Sequence, residues 1–272
     1  MTLNNKTIAF IGAGNMGEAL IRGLLAAKAV NSERIIATDI RKERLSHIAA
    51  KLNVKTVFDN AAAVANAGVV VLAVKPQHMS AALAALRSRA GECTLFISIA
   101  AGVPTARIES ELGGKAHVVR VMPNTPSLVS AGVAALARGL YATEEDLVIA
   151  ETILNAVGIT VRVEERLMDA VTALSGSGPA YVFYVTEAMI KAGTTAGLDE
   201  ELAKKLAIQT IHGAAKLLVE SGESPESLRC KVTSPGGTTE AAIKVMTKRK
   251  LMEIFTEAIG AAEKRSRELS ES

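Results

Sequence analysis

The hexapeptide Gly12-Ala13-Gly14-Asn15-Met16-Gly17 has the spacing G-x-G-x-x-G, which suits the binding of a pyrophosphate. Its three glycines have separate tasks. Gly12 permits a tight turn, Gly14 lets the backbone approach an anion, and Gly17 lets a helix pack closely on a strand. A helix starting there aims its spare N–H groups at the phosphates. Alone the pattern is weak, but here it follows the apolar run TIAFI (7–11) and opens a helical pattern reaching Leu25. It therefore predicts a bound nicotinamide dinucleotide, used as a hydride carrier.

Asp39 closes the next β-branched run, RIIATD (34–39). An acid at that point accepts hydrogen bonds from an adenosine ribose and repels a 2′-phosphate, which favours NADH. Arg41 and Lys42 follow at once and could pair with such a phosphate, so the choice between NADH and NADPH stays open. VLAVKPQ (71–77) ends a further strand; Pro76 has no N–H, so the chain must leave the sheet there. Lys75 could meet phosphate or ribose, or be a solvated lysine at a strand end. SIAAGVP (98–104) is a second strand end built of small residues, suited to close approach by a nicotinamide. Both lie where open α/β sheets bind ligands, beyond the carboxyl ends of the strands.

Two polar, Gly-rich loops occur later in the chain. Ser175-Gly176-Ser177-Gly178-Pro179 places Pro179 as the first residue of an apolar helix, and offers N–H groups and two hydroxyls to a small anion. Thr233-Ser234-Pro235-Gly236-Gly237-Thr238-Thr239 opens a helix over 238–248 in the same manner. Either loop taken singly reads as a plain helix cap. No Ser-His-Asp arrangement and no Cys/His metal cluster can be placed, and the four histidines, His47, His78, His117 and His212, are scattered. Hydride transfer does without such groups, because the cofactor carries the chemistry and the protein orients the partners. The missing base favours an acceptor such as an imine, whose nitrogen can be protonated from solvent before hydride arrives.

Positioning these residues requires a sheet followed by a helical region. Strands are expected at 7–11, 34–39, 54–58, 69–76, 94–100 and 117–122, alternating with helices that include 79–90 and 104–112. The 69–76 run is apolar on both parities, as in a central strand covered on both faces. The alternation predicts a parallel, doubly wound sheet. GVAALAR (132–138), a helix over 144–156 and TVRV (160–163) end it. We divide the chain into a dinucleotide-binding domain, 1–163, and a helical domain, 164–272. The helix begun by PAYVFYVTEAMIKAG carries a single acid, Glu187, before Lys191, and is expected to be buried nearly all round. Leu202, Leu206 and Leu217 alternate with Ala203, Ala207 and Ala214, so helices can approach closely there. Such apolar helices are expected to bury surface against a second copy.

The totals restrict the function classes. The chain has 272 residues, 22% of them charged, with a formal net charge of +3. KVMTKRK (244–250) reads as a solvated helix end rather than a nucleic-acid face. No apolar stretch reaches the roughly 18–20 residues that span a bilayer, and no signal-like segment is expected. Two distant cysteines, Cys93 and Cys230, suggest neither metal nor disulfide and fit a reducing cytosol. The expectation is a cytoplasmic enzyme without a metal, partnered by neither nucleic acid nor membrane.

The chain resembles the pyrroline-5-carboxylate reductases along nearly its whole length. The resemblance rests on FIGAGNMG (10–17), AVKP (73–76), SIAAGV (98–103), MPNTP (122–126), SGSGPAYVF (175–183) and VTSPGGTTEAAI (232–243). It implies a Rossmann-type α/β domain, an all-α dimerisation domain, and homodimers assembled further into rings. It also implies reduction of the cyclic imine Δ1-pyrroline-5-carboxylate to L-proline with NADPH or NADH, the last step of proline biosynthesis. Cofactor contacts then fall on Ile11, Gly12, Ala13, Gly14, Asn15, Met16, Asp39, Arg41, Asn60, Ala73, Val74, Lys75, Pro76, Ile99, Ala100 and Ala101. Substrate contacts fall on Glu165, Ser175, Gly176, Ser177 and Gly178, and, from the partner subunit, on Lys231, Ser234, Gly236, Gly237, Thr238 and Thr239. In that scheme the N–H groups of Gly237 and Thr238 hold the substrate carboxylate and the Thr239 hydroxyl faces the ring nitrogen. Family members that favour NADPH often carry Ser or Thr where this chain has Asp39.

Two other readings stand beside it. A β-hydroxyacid dehydrogenase shares the two-domain plan but needs a lysine-assisted proton transfer, and the helix after SGSGP has no lysine until Lys191. A non-catalytic dinucleotide sensor needs the first domain but no carboxylate-binding loops in the second.

Overall fold

The computed structural model describes residues 3–87 and 94–271. Cys93 and the last residues of the helix expected over 79–90 lie outside them. The strands are β1 (Ile8–Ile11), β2 (Ile35–Thr38), β3 (Lys55–Val57), β4 (Val69–Leu72), β5 (Leu95–Ser98), β6 (His117–Pro123), β7 (Gly132–Arg138) and β8 (Gly158–Arg162). They form one sheet in the order β3-β2-β1-β4-β5-β6-β7-β8. Strand order reverses beside β1, which makes the β1–β4 crevice a binding position for a dinucleotide.

Between the strands run α1 (Asn15–Ala26), α2 (Lys42–Leu52), α3 (Asn60–Val64), α4 (Met79–Leu86), α5 (Thr105–Leu112) and α6 (Glu144–Leu154). β1, β2, β4 and β5 are buried at every residue, because helices cover both faces of the sheet. Alternate residues of β1 serve opposite faces. Ile8 and Phe10 pack with Leu20, Leu24 and Ile153 of α1 and α6, whereas Ala9 and Ile11 pack with Val64, Leu83 and Ile108 of α3, α4 and α5. The parallel expectation fails at one pair, since β7 runs antiparallel to β6. The connection between them is a short 3-10 segment over Thr125–Val129. A parallel return needs a crossover of about a dozen residues or more, so the chain reverses instead.

After β8 the chain is helical: α7 (Met168–Val171), α8 (Gly178–Thr195), α9 (Glu200–Ser221), α10 (Pro225–Lys231), α11 (Thr238–Lys248) and α12 (Leu251–Glu271). Packing defines two compact units, Met1–Ser177 with Ala262–Ser272, and Gly178–Ala261. Strands therefore end at Arg162, while residues 164–177 and the end of α12 pack with the sheet. α10 has no counterpart in the sequence reading. Its start is an N-cap in which the Ser224 hydroxyl accepts from Ser227 N at 3.1 Å, with Pro225 in the first turn.

In the second unit α8 packs on α9, with Gly193 against Ala203. Ala203 and Ala207 are buried, as the small residues of α9 suggest. The expectation that α8 is buried nearly all round is not met in the single chain, where it has no buried residue. Phe183 is 62% exposed and Tyr184 74%. An apolar sequence reports burial in the working assembly, and one copy of this helix pair cannot cover itself.

Candidate active site

The Gly12–Gly17 turn is stitched into the sheet by two backbone bonds, Gly12 N to Thr38 O (3.0 Å) and Ala73 N to Ile11 O (2.8 Å). Gly12 has φ +100°, and a Cβ there would lie 2.7 Å from Ala73 O. A Cβ on Gly17 would lie 2.7 Å from Gly12 O. Gly14 differs: a Cβ built on it meets nothing within 4 Å. The first two glycines are demanded by the fold, while Gly14 keeps clear a space at the start of α1. The N–H groups of Asn15, Met16 and Gly17 have no acceptor among the described residues. This cradle fits a dinucleotide pyrophosphate.

Behind the turn lies an ion network that the sequence reading missed. Arg44 of α2 donates through Nε to Ala13 O and through Nη2 to Glu18 of α1. Lys51 Nζ donates to Glu18 Oε1 at 2.8 Å. The Lys51 hydrogen bond, joined by Arg44, outweighs the upward push of burial and holds the Glu18 carboxyl at about 2. Arg44 and Glu18 lie 26 residues apart in the chain. Only the packing of α2 beside α1 turns them toward one another.

Asp39 lies just past β2. Its carboxylate accepts from Ala13 N (3.2 Å), from Arg41 N (3.0 Å), from Arg41 Nε (3.0 Å) and from Arg41 Nη2 (3.2 Å). Burial pushes its carboxyl up, but these bonds outweigh it and hold it below the usual carboxylate range. Asn60, at the start of α3, accepts through Oδ1 from Thr38 Oγ1 at 2.7 Å. Ala73, Val74, Lys75 and Pro76 follow β4, with Lys75 exposed and a 3-10 turn over Pro76–His78.

Ile99, Ala100 and Ala101 follow β5, with Ile99 N bonded to Leu72 O at 3.1 Å. Glu165 reaches the far end of that turn. Its carboxylate accepts from Thr105 N (2.8 Å) and Thr105 Oγ1 (2.5 Å) at the start of α5, and from Arg120 Nη1 (3.3 Å). Arg120 lies on β6 with its side chain only 7% exposed. A carboxylate read as a substrate contact thus also caps a helix and pairs a buried guanidinium.

The 175–179 segment is not an open loop. Thr172–Gly176 is a π-helical turn, and Ser177 N bonds back to Thr172 O at 2.9 Å. Ser175 Oγ donates to Val171 O. Asn124, from the MPNTP motif, holds this turn against the sheet: its Nδ2 donates to Ser175 O (3.2 Å) and its Oδ1 accepts from Val133 N (3.0 Å). A Cβ on Gly176 would lie 2.4 Å from the Met122 side chain. The flexible end of the Met122 side chain would have to move to admit one.

A cleft of about 660 Å³ opens in the first unit. Pro76, Ala101, Val103, Thr172 and Ser177 line it, together with Arg265, Ser266 and Leu269 of α12. It brings the ends of β4 and β5 together with the turn that contains Ser177. The α12 residues were not foreseen, since nothing in their local pattern marks a site.

The second unit carries Gly178, Lys231, Ser234, Gly236, Gly237, Thr238 and Thr239. Gly237 N bonds Ser234 O at 3.0 Å, and Gly236 N bonds Glu240 Oε2 at 3.1 Å. The N–H groups of Thr238 and Thr239 have no acceptor among the described residues. The resemblance assigns the carboxylate to Gly237 and Thr238, and in this conformation the Gly237 N–H is engaged in its own turn. Lys231 pairs with Glu223, N–O 2.6 Å. Among the described residues no group of His, Cys, Asp and Glu could hold a metal ion. No helix there is long and apolar enough to cross a membrane.

Comparison with known proteins gives the family and the fold. Residues 165–269 match the family described as pyrroline-5-carboxylate reductase dimerisation, and residues 7–102 match that described as NADP oxidoreductase coenzyme F420-dependent. The chain is 44% identical to a pyrroline-5-carboxylate reductase of Methanosarcina acetivorans, over 98% of this chain and 99% of the relative. The solved pyrroline-5-carboxylate reductase of Coxiella burnetii is 41% identical, with a TM-score of 0.94 over 99% of this chain and 100% of that one. That of Plasmodium falciparum, solved with NADP bound, is 30% identical, with a TM-score of 0.87 over 98% and 99%.

Proposed function

The chain belongs to the pyrroline-5-carboxylate reductase family, and from that premise we propose how its own residues reduce Δ1-pyrroline-5-carboxylate to L-proline. It is an NAD(P)H-dependent oxidoreductase of proline biosynthesis and a homo-oligomer. Bound NAD(P)H supplies the hydride for the imine carbon. Ile11, Gly12, Ala13, Gly14, Asn15 and Met16 take the pyrophosphate, and Asp39, Arg41 and Asn60 take the adenosine. Ala73, Val74, Lys75, Pro76, Ile99, Ala100 and Ala101 line the nicotinamide half. The open space over Gly14 supports this reading.

The substrate carboxylate is held at the start of α11 by the N–H groups of Thr238 and Thr239, with Ser234, Gly236 and Gly237 shaping the loop. The observation that carries this is the pair of unspent N–H groups at the positive end of an 11-residue helix, beside a threonine hydroxyl. Thr239 Oγ1 orients the ring nitrogen or passes it a proton. Lys231 adds positive charge near the carboxylate. Glu165, Ser175, Gly176, Ser177 and Gly178 form the facing wall, contributed by the other copy in the dimer. Holding the imine at a fixed distance and angle lowers the entropic part of the barrier, which is the protein's main contribution.

The functional division is residues 1–163 for the dinucleotide and 164–272 for substrate and dimerisation. We further propose that dimers assemble into a ring and that the enzyme works in the cytoplasm. The exposed apolar face of α8 supports association, and the sparse cysteines fit a reducing compartment. The test is Thr239→Val, which keeps NADPH binding and lowers turnover at least ~10-fold, the low end for one positioned proton donor. Loss of 340 nm absorbance with NADPH and pyrroline-5-carboxylate reports it. Unchanged turnover removes Thr239 from the mechanism.

A further inference from the structure

In an ordinary α-helix the Ser175 carbonyl would accept from the N–H four residues on, but that residue is Pro179, which has none. The chain closes instead on a π-turn one residue wider, with Ser177 N donating to Thr172 O at 2.9 Å. Asn124 supplies the missing donor. Its Nδ2 donates to Ser175 O at 3.2 Å, across 51 residues of chain. Its Oδ1 accepts from Val133 N at 3.0 Å, just beyond the last paired residues of β6 and β7, Pro123 and Ala134. Asn124 is buried, and its amide serves as donor and acceptor at once. Both ends of that amide are held, so it ties the π-turn to the point where β6 stops.

One face of β6 supports the whole segment. Arg120, Met122 and Asn124 alternate along the strand, and they meet Glu165, Gly176 and Ser175 in turn. Met122 is flexible and Glu165 precedes the turn, so the grip on the turn's own backbone falls to Asn124. Thr172 and Ser177, at the two ends of the turn, both line the cleft. We propose that Asn124 is a positioning residue for imine reduction, fixing the 172–177 wall by holding the Ser175 carbonyl to the end of β6. It acts through the turn rather than on the reacting atoms. The proposal rests on the reading of Ser175, Gly176, Ser177 and Gly178 as the substrate's facing wall. A small misplacement of a held reactant costs rate steeply. Loss of the Asn124 bond is therefore read in turnover, while cofactor affinity, which belongs to the Gly-rich turn, is spared.

The test is Asn124→Asp in the full-length protein. This change keeps the size of the side chain and an acceptor for Val133 N, but sets a carboxylate oxygen against Ser175 O. Two readouts are compared: initial rates with NADPH and pyrroline-5-carboxylate at 340 nm, and NADPH affinity by nicotinamide fluorescence without substrate. Asn124→Asp is expected to lower kcat/KM for the imine at least ~10-fold, as for a misplaced reactant, with the NADPH Kd unchanged. Should Asn124→Asp fail to fold, Asn124→Ala, which brings in no charge, is read in the same two assays with the same expectation. Hydrogen exchange of the 172–177 amides is expected to quicken in either variant. An unchanged kcat/KM, or a loss of NADPH affinity as large as the loss of kcat/KM, overturns the proposal. Failure of the unaltered protein to reduce the imine overturns the reading of the substrate wall itself, and the proposal with it.

Discussion

Removal of the Glu165 carboxylate tests the tie between the sheet and the turn that follows β5. In Glu165→Ala the first turn of α5 loses the acceptor for Thr105 N and Thr105 Oγ1, and Arg120 loses its carboxylate. Loss of a helix-capping acceptor costs about 1 kcal/mol. Stripping a partner from a buried charge costs roughly 3–5 kcal/mol, but here Glu165 is 30% exposed and the contact to Arg120 is long, at 3.3 Å. Discounting for that exposure, the pair contributes about 1 kcal/mol. The sum is ~2 kcal/mol, and a unit of this size loses roughly 2–4 °C of Tm per kcal/mol, so Tm falls by about 4–8 °C. Thermal unfolding followed by circular dichroism without cofactor measures it. Arg120→Met added to Glu165→Ala removes the stranded guanidinium and recovers part of the loss, because no charge is then left buried without a partner. A Tm within about 1 °C of the unaltered protein for Glu165→Ala refutes the argument, since it leaves no room for even the cap alone.

Three further outcomes are expected. Gly14→Ala folds with Tm within ~2 °C, since its Cβ meets no neighbour, yet weakens NADPH at least ~10-fold by filling the cradle; an unchanged Kd in titration contradicts the cradle. Glu18, held at about 2 against an ordinary 4.5, contributes stability that is complete above pH 4.5 and is lost as pH falls toward 2. Urea midpoints across that window therefore fall less steeply in Glu18→Gln, and parallel curves for the two proteins contradict the network. Phe183→Asp puts a charge on the exposed apolar face of α8 and lowers the mass seen by light scattering; an unchanged mass excludes that face from the subunit interface.

The elements that bind the dinucleotide were legible because their causes are local. Gly12, Gly14 and Gly17 announce themselves by spacing, and the all-apolar runs of β1 and β4 follow from burial on both faces of a sheet. The helix starts beside Pro179, one residue after α8 begins at Gly178, and at Thr238 after SPGG are likewise written in a few consecutive residues. Tertiary structure decided whatever depends on two distant segments meeting. Arg41 and Lys42 looked like rivals of Asp39, and the fold makes Arg41 its partner. Glu165 meets Thr105 across 60 residues, Arg44 meets Ala13 across 31, and the end of α12 joins the cleft beside Thr172 and Ser177. The chain reversal between β6 and β7, and the bareness of α8 in a single copy, are likewise matters of packing. Hydrophobic periodicity reports that a face is covered, and long-range geometry alone says by what.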